Sequence, residues 1–188
     1  MTESVLLTEA EEHRCEEIAL ARLESNEAAG IQSYKKSSRH TDLQVHHLGV
    51  AGEYIVARAL GLGGFRTFND RGPTRRGDIL LPNGEYLEVK MGVKPRYNFL
   101  IKKDDTPLDG SSQYDWQPLF RCAYGALVWK MPTPRRYSIV GWCTRDEFRQ
   151  HKTWADHLPK PCWLLSWERF HVIDELKRLW IPVQQTLW

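Results

Sequence analysis

The chain is 188 residues long, with 41% hydrophobic and 27% charged residues and a formal net charge of +2. That length suits one domain with a real core, and the composition excludes a polycation and a disulfide-stapled miniprotein. No apolar run approaches the roughly 20 residues of a membrane-spanning helix, and the acidic start Met1-Thr2-Glu3-Ser4 lacks the features of a signal peptide; a cytoplasmic protein with no membrane partner is expected.

Thr8 followed by Glu11 is a capping box that opens a helix running to about Ala29, where Gly30 ends it. Residues 1–30 hold eight glutamates against Arg14 and Arg22, so this helix is expected to stand exposed or to pack on another chain. Residues 31–42 are polar and basic and read as a linker, which divides the chain into an acidic helix and linker (1–44) and a main domain (45–188). A second helix is expected from Val45 to Leu60, with Leu48, Ile55, Val56 and Leu60 as its buried stripe.

Further along, Gly77 to Met91 reads as two strands about a tight turn, and Ala123–Trp129 and Tyr137–Trp142 as later strands. Thr144 with Glu147 makes another capping box for a short helix, and Ser166 opens a last helix through Leu179, stopped near Pro182. All eight tryptophans lie from Trp116 onward, most expected in the core or an interface and one or two to stack on bases. Cys15, Cys122, Cys143 and Cys162 are scattered and read as free, mostly buried thiols. His151, His157 and Cys162 match no usual zinc spacing. The order of elements predicts a mixed sheet flanked by helices.

The informative stretch is Gly77-Asp78-Ile79-Leu80-Leu81-Pro82-Asn83-Gly84-Glu85-Tyr86-Leu87-Glu88-Val89-Lys90. Pro-Asn-Gly suits a three-residue loop with Gly84 as the left-handed residue of a bulge. Leu81 then faces Glu85, and Asp78 falls opposite Glu88. A two-residue loop would instead set Ile79 against Glu88 and mix apolar with charged groups. The three-residue register sends Ile79, Leu81, Leu87 and Val89 to the core, and Asp78, Tyr86, Glu88 and Lys90 to the other face.

Opposed residues have Cβ atoms about 4.5–5.5 Å apart, close enough for two carboxylates to hold one cation. Mg²⁺ enters such sites through one or two carboxylates plus substrate phosphate. Lys90 lies on the same face about 7 Å along the strand from Glu88, placed to steer or activate a water or to stabilise charge on a phosphate. As structure alone, the same residues are the charged outer face of a hairpin, with an Asp–Glu clash relieved by Lys90 and Arg76. Residues 65–103 are basic, nine cationic side chains against four acidic ones, which suits a polyanion such as nucleic acid.

A helix bearing Glu53, a strand with Asp78 and a strand with Glu88-x-Lys90 together resemble the PD-(D/E)xK nucleases. Leu48-Gly49-Val50-Ala51-Gly52-Glu53-Tyr54-Ile55-Val56-Ala57-Arg58-Ala59-Leu60-Gly61 is similar to the family's first helix, and Gly77 stands where the family has Pro. More loosely, Tyr114-Asp115 and Gly141-Trp142 leading into Arg145-Asp146-Glu147-Phe148 are like small restriction-type and phage-encoded nucleases. The likeness spans residues 45–150.

The resemblance implies a restriction-endonuclease-like α/β fold, a mixed sheet flanked by helices with an N-terminal helical extension. It implies hydrolysis of DNA with Mg²⁺, for which Mn²⁺ substitutes. Asp78 and Glu88 would hold the metal, Glu53 would assist directly or through water, and Lys90 would orient the attacking water. Arg71, Arg75, Arg76, Lys94, Arg96, Lys102 and Lys103 flank the site and are the expected DNA phosphate contacts. Tyr97 and Gln113 are weaker candidates for the groove, and His46-His47 is expected to fill surface or core. A structure-specific enzyme such as a Holliday-junction resolvase shares this core; in that case a homodimer joined through the acidic helix is expected. A catalytically silent nucleic-acid-binding module and a protein-interaction domain are the other readings.

Overall fold

The computed structural model describes residues 3–30, 41–63, 77–101, 122–158 and 161–179. In chain order these form β1 (Glu3–Leu6), α1 (Glu9–Ala28), α2 (Asp42–Ala59), β2 (Ile79–Leu80), β3 (Tyr86–Gly92), β4 (Phe99–Ile101), β5 (Tyr124–Lys130) and β6 (Arg136–Thr144). Then come α3 (Arg145–His151), β7 (Thr153–Ala155), β8 (Cys162–Leu165), a 3-10 turn at Trp167–Arg169 and α4 (Ile173–Arg178). The fold is mixed α/β. A five-stranded sheet runs β1-β6-β5-β3-β2, and a three-stranded sheet runs β4-β8-β7. In the larger sheet β3 and β5 are parallel and the other neighbours antiparallel.

Alternation along β5 divides the core. Ala126 and Val128 join the cluster under α1, α2 and α4, while Leu127 and Trp129 join the cluster formed with the small sheet and α3. A bulge in β6 corrects its phase: pairing passes from Leu127–Gly141 to Val128–Ile139 and leaves Val140 unpaired. Trp142 thereby returns to the helix side with Tyr137 and Ile139, and Cys143 turns to the other.

The acidic helix does not stand apart. Its Thr8–Glu11 capping box forms as expected, but Cys15, Ile18 and Ala19 are buried against α2, and β1 before it pairs with β6. Three small or medium residues suffice because the rest of the contact is polar: Glu11 accepts from Tyr54 Oη and from Arg58 Nη1. The change in composition at residue 44 is therefore no boundary between cores. The expected linker, residues 31–40, lies outside the described residues. Helix α2 starts at Asp42 rather than Val45, because Thr41 and Gln44 make a further capping box.

The expected helix from Ser166 to Leu179 is broken. His171 leaves the helical path to pair its backbone with Trp142, N–H to O at 2.8 Å and the reverse at 3.0 Å. Gly141 permits this approach: its φ is +150°, and a Cβ there would fall 2.0 Å from the His171 carbonyl oxygen. The four cysteines are buried and none forms a disulfide. Among the described residues no helix is long and apolar enough to cross a membrane.

Candidate functional site

The hairpin of β2 and β3 forms in the expected register. Ile79 pairs with Leu87 and Leu80 with Tyr86. Leu81 and Glu85 close the turn through N–H to O at 2.9 Å, with Gly84 at φ 83°. Ile79, Leu81, Leu87 and Val89 are buried in the helix-side cluster, while Asp78, Glu88 and Lys90 are half-buried on the other side.

Asp78 sits one residue beyond the last paired position and brackets Glu88 with its bonds. Its N–H donates to the Leu87 carbonyl at 3.0 Å, and its Oδ2 accepts from the Val89 N–H at 2.7 Å. Glu88 Oε1 is paired with Lys90 Nζ, and Oε2 lies 3.6 Å from the Cys122 thiol. The Lys90 side chain is 37% exposed and that of Glu88 22%, so the cluster opens to solvent on the lysine side.

These neighbours set the charges. Burial, then the Glu88 and Glu53 carboxylates, push Asp78 up to about 7 against the pull of Lys90 and the Val89 N–H. Burial works against the charge on Lys90, but Glu88 and Asp78 outweigh it and raise the ammonium above its ordinary value. Lys90 is thus held as a cation at neutral pH, able to interact by charge and hydrogen bond rather than as a base. The burial of Cys122, beside Glu88 and Asp78, pushes its thiol well above the ordinary range, which makes it a neutral donor rather than a nucleophile.

Gly77 is explained by the same packing. Its φ is +130°, and a Cβ there would lie 2.6 Å from Cys122 Sγ and 2.9 Å from Tyr86 Cβ. Proline, locked near −65°, has no way into this backbone; the thiol fills the space a ring would need.

Glu53 is on α2 and is buried, 6% exposed. Both its oxygens are taken by Arg22 of α1, at 2.8 and 2.6 Å. Its charge contributes to the field at Asp78, but among the described residues no three His, Cys, Asp or Glu side chains converge in a group able to hold a metal ion. Asp78 and Glu88 remain the adjacent carboxylate pair. The donor set is hard oxygen, and one of its members is driven toward protonation by burial and then by its carboxylate neighbours. That chemistry fits Mg²⁺ or Mn²⁺ with two protein ligands and its other positions left to water and phosphate.

The basic flank divides. Lys94 and Arg96 are exposed in the turn after β3, whereas Arg71, Arg75, Arg76, Lys102 and Lys103 lie outside the described residues, as do Gln113, Trp116, Trp180 and Trp188. The Tyr97 carbonyl accepts from Trp129 Nε1 at 2.8 Å, and its ring packs on the second core cluster. Trp129 and Trp142 are buried; Trp154 and Trp163 pair edge to face at 5.0 Å. His46 is half-buried, and burial and then Arg22 push its imidazole down; His47 lies 3.6 Å from Glu12.

Arg22 and Cys122 are the site neighbours that sequence reasoning missed. Arg22 carries one signal, as one of two cations in an otherwise acidic helix; Cys122 carries none. No protein-family model matches the chain, and no curated protein matches it in sequence.

Proposed function

We propose that the chain is a Mg²⁺-dependent deoxyribonuclease of the restriction-endonuclease-like kind, with Asp78, Glu88 and Lys90 at its centre. The observation that carries this reading is the joint placement of those three groups at one end of the β2–β3 hairpin: two carboxylates side by side, held by the backbone of Leu87 and Val89, with a permanent ammonium on the same strand. A purely structural hairpin face gains nothing from half-burying two like charges together. A site for a divalent cation and a phosphate requires them.

Asp78 and Glu88 would hold the ion. Mg²⁺ bound there supplies a Lewis acid for the scissile phosphate and a water of lowered pKa. The Val89 N–H fixes one Asp78 oxygen, so the carboxylate is oriented before any ligand arrives. Lys90 shares Glu88 as its counter-ion and is the group placed to meet the phosphate as charge develops. Lys94 and Arg96 extend the positive edge along which a DNA backbone would run.

Supercoiled plasmid, linear duplex, single-stranded DNA and a four-way junction, each incubated with Mg²⁺ or with EDTA, test the proposal. Cutting confined to the Mg²⁺ samples supports it, and the preferred substrate separates a general endonuclease from a junction resolvase. DNA binding with no cutting of any substrate supports a silent binding module instead. That second reading has one observation in its favour, the complete engagement of Glu53 by Arg22.

A further inference from the structure

Glu88 has a different neighbour on each of its flanks. Toward β2 stands Asp78, whose N–H and Oδ2 bond the backbone on either side of Glu88. Along β3 stands Lys90, paired with Oε1. Toward β5, Glu88 pairs with Gly125, which puts no side chain beside it. The group that meets Glu88 on this third flank is Cys122, from the segment entering β5, with its Sγ 3.6 Å from Glu88 Oε2.

Cys122 is held in that place by its surroundings. It is 3% exposed and belongs to the core cluster on the same side of the sheet as Asp78, Glu88 and Lys90. Next to it, the Ala123 carbonyl accepts from the Arg145 N–H at 2.8 Å, at the start of α3. The thiol also lies over Gly77, where an added Cβ would fall 2.6 Å from Sγ. The sulfur therefore sits between the backbone that leads into Asp78 and the carboxylate of Glu88, with little room to turn away. A protonated thiol is a weak donor with one hydrogen, so it orients Oε2 without neutralising it as an ammonium would.

We propose that Cys122 is a positioning residue for the candidate cation centre: its thiol donates to Glu88 Oε2 and fixes the plane of that carboxylate, as the Val89 N–H fixes Asp78, without entering the coordination shell itself. The inference deepens the cation reading of the preceding section and rests on it. Lys90 takes one Glu88 oxygen by charge and the thiol holds the other by direction, and each oxygen keeps a lone pair for an ion. Groups that orient a ligand in this way typically carry about 10–100-fold in metal affinity. A cysteine present only for packing carries none, because a side chain of similar volume serves as well.

The test is Mn²⁺ binding to the full chain, read from the spin-resonance signal of free Mn²⁺, beside the Raman S–H stretch of the thiol. Cys122→Val fills the space but has no donor, and it should bind Mn²⁺ about tenfold more weakly than the unmodified chain. Cys122→Ser keeps an O–H donor and should fall between the two, about threefold weaker than the unmodified chain. Should circular dichroism show the Val variant unfolded, Cys122→Ala takes its place, removing the donor without adding bulk. The S–H band that disappears in Cys122→Ser belongs to this thiol, and it should move to higher frequency in Glu88→Ala, where its acceptor is gone.

Equal affinity in the donor-free variant and the unmodified chain, a Ser variant as weak as the donor-free one, or an S–H band unmoved by Glu88→Ala would overturn the inference. Where the unmodified chain binds Mn²⁺ and Glu88→Ala does not, that failure touches Cys122 alone and leaves the cation site standing. Absence of Mn²⁺ binding in every form would overturn the cation reading and the inference together.

Discussion

Replacing Glu11 with Gln should weaken the fold in a pH-dependent way, because this carboxylate joins the two long helices. It accepts from the Thr8 N–H at 2.8 Å, Thr8 Oγ1 at 3.0 Å, Arg58 Nη1 at 2.7 Å and the Tyr54 hydroxyl. Burial opposes its charge, but Tyr54, the Thr8 N–H and Arg58 outweigh it and hold the pKa down to about 2 from an ordinary 4.5. A group depressed in this way contributes stability that is fully present above its unfolded pKa and is lost as pH falls through the folded one. The whole shift is worth about 3 kcal/mol at neutral pH. With 18% of the side chain exposed, solvent screening trims this to about 2 kcal/mol. Urea unfolding of both proteins across pH measures it: the variant should be weaker by about 2 kcal/mol at neutral pH, with the gap shrinking below pH 4.5 and nearly closed by about pH 2. A gap that stays constant across that window would refute the electrostatic account and assign the loss to hydrogen-bond geometry alone.

Gly77→Ala should cost about 3 kcal/mol or more, since it forces a side chain into the left-handed region against Cys122 and Tyr86; thermal unfolding reads this, and an unchanged midpoint would contradict the packing. Lys90→Met should leave DNA affinity changed by no more than one phosphate contact's worth of salt dependence while cleavage falls by about 100-fold or more, as measured by salt-dependent binding and single-turnover cutting. Phe148→Ala empties a fully buried position edge-packed on Phe99 at 5.8 Å between ring centroids. It should cost about 3–5 kcal/mol in urea unfolding, without loss of metal binding.

What could be read from the sequence was local. The Pro82-Asn83-Gly84 turn sets the register of β2 against β3, and the alternation of Ile79, Leu87 and Val89 with charged neighbours sorts the faces within a dozen residues. The Thr8 and Thr144 caps are four-residue signals and form as read. The features that escaped depend on distant partners. Arg22 and Glu53 are 31 residues apart with a polar segment between them, and neither has a sequence neighbour that marks the other. The break in the last predicted helix depends on Gly141, thirty residues earlier in the chain, admitting the His171 backbone. Strands β4, β7 and β8, of three or four residues each, are too short to show a period. The acidic composition of α1 suggests exposure on every face, whereas its inner face is held largely by polar bonds from Glu11 and Arg22.

The central claim is that Asp78, Glu88 and Lys90 form a centre that cuts DNA with a divalent ion, and the most direct measurement is Mg²⁺-dependent relaxation of supercoiled plasmid by the intact chain beside Glu88→Ala. Glu88→Ala should fold, bind DNA and leave the plasmid supercoiled, while the unmodified chain nicks it in Mg²⁺ and not in EDTA. Equal cutting by both proteins, or cutting that persists in EDTA, would contradict the account.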